Sequence, residues 1–306
     1  MLRAAGFVAL SALSLHLLRY RRQMARARAA EATRLPVGAD GVVPGAGPIT
    51  LQGSATHAVL LIHGFGDTPQ SVRLLAEHLH QVHGWSVQAM RLPGHGGTLA
   101  EFDTYGSDAW RVAVHEAFVA MRRQYSVVAL VGLSMGAALA TIEAARYPDL
   151  PALILLVPYL TPPANAERMA PVAGVVNLLV PYLKGGDRTR SILDPEARVL
   201  SLNAGAAPPR RIRDLVSVAH DARFAAGDVQ APTLLVHSRT DYRIPVALAE
   251  RHAGFFSSAA AVQQVWVEKG GHVITVDYCR EEVWSLTADW LARYAGAPLA
   301  SPRLEA

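Results

Sequence analysis

The sequence predicts an α/β fold: a mostly parallel central sheet covered by helices on both faces, with a cap inserted over the strand ends. Three observations carry this. Short, unbroken apolar runs alternate along the chain with helix-length amphipathic segments, the pattern of strands buried on both faces and joined by crossover helices. The runs are strand-sized, as in Ala58–Ile62 (AVLLI) and Val127–Val131 (VVALV). The alternation stops over about 159–228 and then resumes, as expected where a separate layer interrupts a regular sheet.

In chain order, residues 1–34 come first and stand apart. Ala4–Leu18 carries no formal charge, and Arg19, Arg21 and Arg22 follow at once. As a helix this run spans roughly 22 Å, short of a hydrocarbon core of about 30 Å. Nearly all of its positive charge follows the apolar run, whereas an export signal carries that charge in front. The segment is therefore expected to be a short membrane anchor or interfacial helix, with the folded body on the cytoplasmic side. A cleaved export signal, with Ala-x-Ala sites at 25–29, is the alternative. Residues 35–53, rich in Gly and Pro, read as a linker with one edge strand at Ile49–Leu51.

The body is expected over 54–306. Strands are predicted at Ala58–Ile62, Ser86–Met90, Val127–Val131, Ala152–Val157, Thr233–His237 and Val262–Val267. Helices are predicted at Ser71–His83, Asp108–Arg122, Met135–Tyr147 and Tyr278–Tyr294. The interruption is Pro-rich at both ends and holds the apolar stretch Pro171–Leu183 (PVAGVVNLLVPYL). It is expected to form a cap that supplies the apolar wall of a substrate pocket. The plainer reading is a set of ordinary helices completing the sheet's cover.

Composition excludes several classes. The net charge of +4 is local: residues 1–34 hold seven arginines against Glu31, so the remainder sums to −2. A basic nucleic-acid-binding face has little support. The single cysteine, Cys279, leaves no intramolecular disulfide and no Cys-based zinc site. None of the twelve histidines falls in H-E-x-x-H or a comparable ligand pattern. No phosphate loop or dinucleotide fingerprint appears, so neither metal nor cofactor is expected.

One motif has the right setting for chemistry. Gly132-Leu133-Ser134-Met135-Gly136 is G-x-S-x-G, placed directly after an apolar strand and directly before an Ala-rich helix. That strand–turn–helix context is the nucleophile elbow of the α/β-hydrolase fold, in which an acid and then a histidine follow the serine. His272 lies in a Gly-rich loop after Val262–Val267, and Asp241 lies just past Thr233–His237. His272 is the expected base and Asp241 the expected orienting acid, with Asp228 and Asp221 as competitors for the acid. The fold draws one oxyanion donor from the loop after an early strand and the other from the residue after the nucleophile. Those positions are the backbone amides of Phe65, in His63-Gly64-Phe65-Gly66, and Met135. His63 and His95 read as loop-fixing residues.

His63-Gly64-Phe65-Gly66-Asp67-Thr68-Pro69, Arg91-Leu92-Pro93-Gly94-His95-Gly96, the Ser134 motif and Gly271-His272-Val273-Ile274-Thr275-Val276-Asp277 stand in order. Together they resemble the bacterial monoacylglycerol lipases and the related small thermostable carboxylesterases, from about Ala58 to the C-terminus. The resemblance implies a serine hydrolase acting on carboxylic esters of short to medium acyl chain, with monoacylglycerols as candidate substrates, through an acyl-enzyme. It implies a triad of Ser134, Asp241 and His272 and an oxyanion hole at Phe65 and Met135. An acyltransferase or thioesterase using the same triad is the alternative, and a non-catalytic scaffold a more distant one. The N-terminal segment and the Pro- and Arg-rich cap depart from the family, so glyceride specificity does not carry over with the motifs.

Overall fold

The computed structural model describes residues 2–296. Seven strands form the central sheet: β1 (Ile49–Leu51), β2 (His57–Ile62), β3 (Ser86–Met90), β4 (Val127–Leu133), β5 (Leu153–Leu156), and, beyond a small two-stranded ribbon of β6 (Leu183–Lys184) and β7 (Ala206–Ala207), β8 (Thr233–Ser238) and β9 (Val262–Val267). Their order is β1-β3-β2-β4-β5-β8-β9. β1 runs antiparallel to β3 at the edge, and every other pairing is parallel. This is the α/β-hydrolase architecture. The apolar runs explain it: Leu60, Leu61, Ile62, Leu153, Ile154 and Leu155 are completely buried, alternately against the helices of one face and those of the other.

The helices are α1 (Leu2–Arg34), α2 (Arg73–Gln81), α3 (Leu99–Thr104), α4 (Ser107–Gln124), α5 (Met135–Ala144), α6 (Ala164–Met169), α7 (Ala173–Leu179), α8 (Arg188–Ser191), α9 (Pro195–Leu200), α10 (Pro209–Ala225), α11 (Val246–Ala249) and α12 (Arg280–Tyr294). α2 and α12 cover one face, burying Leu75, Leu79, Val283 and Leu291. α4 and α5 cover the other, with Trp110, Phe118 and Leu139 in the core. α5 is buried along nearly its whole length, and its alanines let it lie close between the sheet and its neighbours. The interruption divides into two parts. Its first part, α6 to β7, lies over the strand ends as a cap. Its last helix, α10, packs Val218, Ala219 and Ala222 back into the body.

Two expectations about the N-terminus need correction. α1 is one continuous helix. No helix among the described residues is long and apolar enough to cross a membrane, so a spanning anchor has no support. The second half of α1 is also tied to the cap. Glu31 is buried, accepts from Gly205 N at 3.0 Å and pairs with Arg34, which itself donates to Asn203 O at 2.7 Å. Arg28 donates to Tyr182 Oη at 3.0 Å. Residues 35–53 are not a free linker either. Val43 and Ala46 are buried, and Val43 N donates to Gly96 O at 2.8 Å. Isolated Gly and Pro mark turns, which a compact, packed segment uses as readily as a loose one.

Candidate active site

The site begins with backbone geometry at the end of β4. Ser134 has φ 56° and ψ −113°, a left-handed conformation that costs a non-glycine residue energy and aims its side chain out of the strand–helix turn. Two glycines make the turn possible. A β-carbon at Gly136 would collide with Ile62 O and His63 O on the adjacent strand, and one at Gly132 with Gly136 O and Ala137 N. The turn is held from the neighbouring strand as well: Ser134 N donates to Leu156 O at 2.9 Å, and Tyr159 N donates to Ser134 O at 3.2 Å.

The structure brings the three side chains singled out in the sequence to one point. His272 Nε2 lies 2.8 Å from Ser134 Oγ, and His272 Nδ1 lies 2.7 Å from Asp241 Oδ2. All three residues are buried. The other oxygen of Asp241 accepts from Arg243 N at 2.8 Å and Ile244 N at 3.2 Å, so the carboxylate is fixed before it meets the imidazole. The competing acids are elsewhere. Asp228 ends a short 3₁₀ turn at Ala226–Asp228, and Asp221 pairs with Arg111 on the surface.

The two amides expected to face an oxyanion lie on either side of Ser134. Met135 N opens α5, where a helix has no internal acceptor for its first donors. Phe65 follows Gly64, whose Cα packs so closely that a β-carbon there would lie 3.4 Å from Ser134 Cβ. Neither N–H has a protein acceptor among the described residues. His63 holds this loop: its Nδ1 donates to Gly64 O at 2.9 Å, and its Nε2 accepts from Leu92 N at 3.1 Å. That pattern requires the neutral ring, and burial pushes its pKa down to about 4. His95 stacks against His63, Phe65, Phe102 and Trp110, and burial likewise lowers its pKa.

Two supports had no role in the sequence reading. Asp277 is fully buried and accepts from four backbone amides: Gly271 N and Leu193 N at 2.8 Å, Asp194 N and Tyr278 N at 2.9 Å. It ties the His272 loop to the cap. Its only trace in the sequence is its place at the end of Gly271–Asp277. Ser191 is the second support, its carbonyl accepting from both His272 N at 2.8 Å and Val273 N at 2.9 Å.

Above Ser134 opens a cavity of about 520 Å³ between body and cap. Its apolar wall comes from Phe102, Pro163, Ala166, Met169, Leu183, Ile212 and Leu215. Of the apolar stretch Pro171–Leu183 only Leu183 reaches it. Leu178 and Leu179 point outward, 70% and 58% exposed, which corrects the expectation that this stretch lines the pocket. The periodicity showed an apolar face without showing which way it turns.

A family model described as serine aminopeptidase, S33, matches residues 53–278. The chain belongs to this family. The match begins after α1 and runs through the Ser134 elbow, the cap and the His272 loop, so it covers every residue of the site. Among relatives of the S33 chain, a thermostable monoacylglycerol lipase of Bacillus sp. (strain H-257) is 24% identical over 257 residues, covering 83% of this chain and 98% of that one. A carboxylesterase of Bacillus subtilis (strain 168) is 25% identical over 237 residues, covering 77% and 92%. Among solved structures, one from work on LipS and LipT, two metagenome-derived lipolytic enzymes, has a TM-score of 0.73 at 26% identity and covers 83% of this chain and 100% of that one. A monoacylglycerol lipase of Paleococcus ferrophilus, at 19% identity and TM-score 0.68, covers 80% and 98% and shares the fold. The S33 chain thus has the architecture and the serine–histidine–aspartate arrangement of a serine hydrolase.

Proposed function

We propose that this chain hydrolyses carboxylic esters of short to medium acyl chain, monoacylglycerols among them, through an acyl-enzyme on Ser134. The observation that carries the reading is the continuous hydrogen-bonded line from Ser134 Oγ through His272 to Asp241. His272 Nε2 takes the hydroxyl proton as Oγ attacks the ester carbon, and Asp241 steadies the imidazolium that forms. The carbonyl oxygen becomes an oxyanion between the N–H groups of Phe65 and Met135, each worth about 3–4 kcal/mol in the transition state. His272 then gives its proton to the leaving alcohol. A water repeats the sequence to release the acid.

The family's description names a peptidase activity, and the cavity favours the ester reading. An aminopeptidase must hold a free α-ammonium, which calls for carboxylates at the site. Here the lining offers one acid, Asp67, against Lys184, Arg188 and Arg243. Asp67 is itself buried and pushed up to about 6. The relatives named above as lipase and carboxylesterase support the same choice. The test is Ser134→Ala: it should abolish turnover of p-nitrophenyl esters and labelling by a fluorophosphonate, with an unchanged fold. Labelling that persists at another residue, or turnover of aminoacyl anilides in place of esters, would overturn the reading. Faster transfer to an alcohol or thiol acceptor than to water would favour the acyltransferase, and faster hydrolysis of acyl thioesters than of the matching oxygen esters would favour the thioesterase.

We also propose that the enzyme works against a lipid surface on the cytoplasmic side, with α1 and α7 toward it. Leu13 and Leu17 of α1 and Val175, Leu178 and Leu179 of α7 are exposed, and His16 Nε2 reaches Leu178 O at 3.0 Å, joining the two helices. Arg19, Arg21 and Arg22 follow, where anionic lipid favours them. Flotation with anionic vesicles tests the contact. Release of a processed form beginning near Ala30 would show export instead.

A further inference from the structure

The cavity over Ser134 carries more positive than negative side chains. Arg188, Arg243 and Lys184 line it, and the one carboxylate on the same wall is Asp67. None of the three cations forms an ion pair among the described residues. Arg243, two residues past Asp241, spends Nε and one terminal nitrogen on a single hydroxyl, Ser191 Oγ, at 3.1 and 3.0 Å. Arg188 uses one terminal nitrogen on Arg198 O and Ser201 O, at 3.1 and 3.3 Å. Both guanidiniums are half-buried and keep donors to spare. Glu31, whose charge acts on Arg188, is already held by Arg34 and Gly205 N and does not line the cavity. A neutral ester offers these cations no opposite charge, and partly desolvating them without an anion is unfavourable.

We infer that this cavity is built for esters that carry an anionic oxyacid group, phosphate or carboxylate, away from the scissile bond, with Arg188, Arg243 and Lys184 receiving that group. The inference rests on the ester-hydrolase reading above and names its substrate class. Guanidinium groups suit the role, because their planar forks donate in pairs to carboxylate or phosphate oxygens. The apolar wall of Met169, Leu183 and Leu215 takes the hydrocarbon part, while Lys184 and Arg188 line the space from the cap and Arg243 from the loop after β8. The anion can come from either end of the substrate: a carboxylate at the far end of the acyl chain, or a phosphate on the alcohol.

Two matched pairs separate these sources. The first is the mono-p-nitrophenyl ester of glutarate against p-nitrophenyl valerate. The second is 1-octanoylglycerol 3-phosphate against 1-octanoylglycerol, below its aggregation threshold. We expect kcat/KM for the anionic member of at least one pair to exceed its neutral partner by about tenfold or more at low salt, the scale of one charge-assisted hydrogen bond. The preference should shrink as sodium chloride is raised. Arg188→Gln and Arg243→Gln should each lower the anionic-to-neutral ratio about tenfold. Lys184→Gln, at an exposed position that cannot disturb the core, should lower it by a smaller factor. A wild-type enzyme that prefers the neutral member of both pairs, or ratios that none of the three variants moves, would overturn the inference and leave ester hydrolysis standing. Failure to cleave any of the four esters would instead remove the ester reading, and this inference with it.

Discussion

Asp277 gathers four backbone amides around one carboxylate, two from the cap entrance, one from the His272 loop and one from its own chain neighbour. A carboxylate has acceptors enough for four donors, and an amide has not. Asp277→Asn should therefore leave a buried donor facing a donor, costing about 1–3 kcal/mol in stability. Gly271 N is one of the four, so the imidazole next to it should lose its position too. The expected signature is a lower Tm together with a fall in kcat larger than any rise in KM. Lost stability with unchanged kcat in the folded fraction would make Asp277 structural only. Legibility differed from residue to residue at this scale. Ser134 was marked by its glycines and by the strand before it, and His272 by its loop. Asp241 had two competitors until the structure put Asp221 on Arg111 and Asp228 on a distant turn. Asp277 and Ser191 could not be found, because the cap partners of the one lie 83 and 84 residues away and the partners of the other about 80.

Among the elements, the strands and sheet-covering helices fell where the apolar spacing placed them, and β3 and β9 match residue for residue. Short elements were another matter. α3, α6 and α8 have six residues or fewer, too short to show a helical period, and their caps such as Thr98 and Asp187 are common loop residues. The orientation of α7 went wrong for a related reason: a seven-residue apolar helix can turn either way. The expected apolar wall therefore rests on Met169 of α6 and Leu183 of β6 rather than on α7. Met169→Ser or Leu183→Ser should reduce kcat/KM for octanoate esters about tenfold more than for acetate esters, the worth of an apolar contact of 1–3 kcal/mol. Leu178→Ser and Leu179→Ser should weaken vesicle binding without shifting the chain-length profile. An octanoate-to-acetate ratio unchanged by Met169→Ser and Leu183→Ser would place the acyl chain elsewhere.

For the whole molecule, the N-terminal helix and the site form one mechanical chain. Glu31 and Arg34 hold Gly205 and Asn203, and Ala204 N between them donates to Gly66 O at 2.7 Å, next to Phe65. A chain starting at Val37 should thus unfold at a lower temperature and turn over p-nitrophenyl acetate more slowly than the full chain. Glu31→Gln in the full chain should reproduce part of both effects. Identical Tm and kcat in all three proteins would show that α1 is only an appendage.

Stability should also depend on pH in a defined direction. Burial depresses His63 and His252 to about 4 and His237 to about 3, from an ordinary 6.5. The unfolded chain therefore takes up protons below about pH 6.5 while the folded one stays neutral at these rings. Their stability is complete above 6.5 and is lost as pH falls toward 4, up to about 2 kcal/mol per histidine between pH 6.5 and 5. Asp67, raised from 3.8 to about 6, works the other way, stabilising below 3.8 and losing its effect as pH rises through 6. Three histidines outweigh one carboxylate, so Tm should drop between pH 6.5 and 5. His237→Phe should flatten that slope by about one proton; an unaltered slope would contradict its buried neutral state.

By itself, the sequence determined the sheet, the elbow and the serine and histidine that the fold brings together, because each depends on residues close together in the chain: strand-length apolar runs, small residues flanking a turn, a loop after a strand. The tertiary structure alone decided which acid meets His272, which side of the cap faces the cavity, that three cations without an ion pair among the described residues line it, and that α1 is bolted to the cap. These depend on contacts between residues tens to more than a hundred positions apart. Such contacts arise from the packing of whole layers, and no local pattern in the chain encodes which of several equally polar or apolar residues will meet.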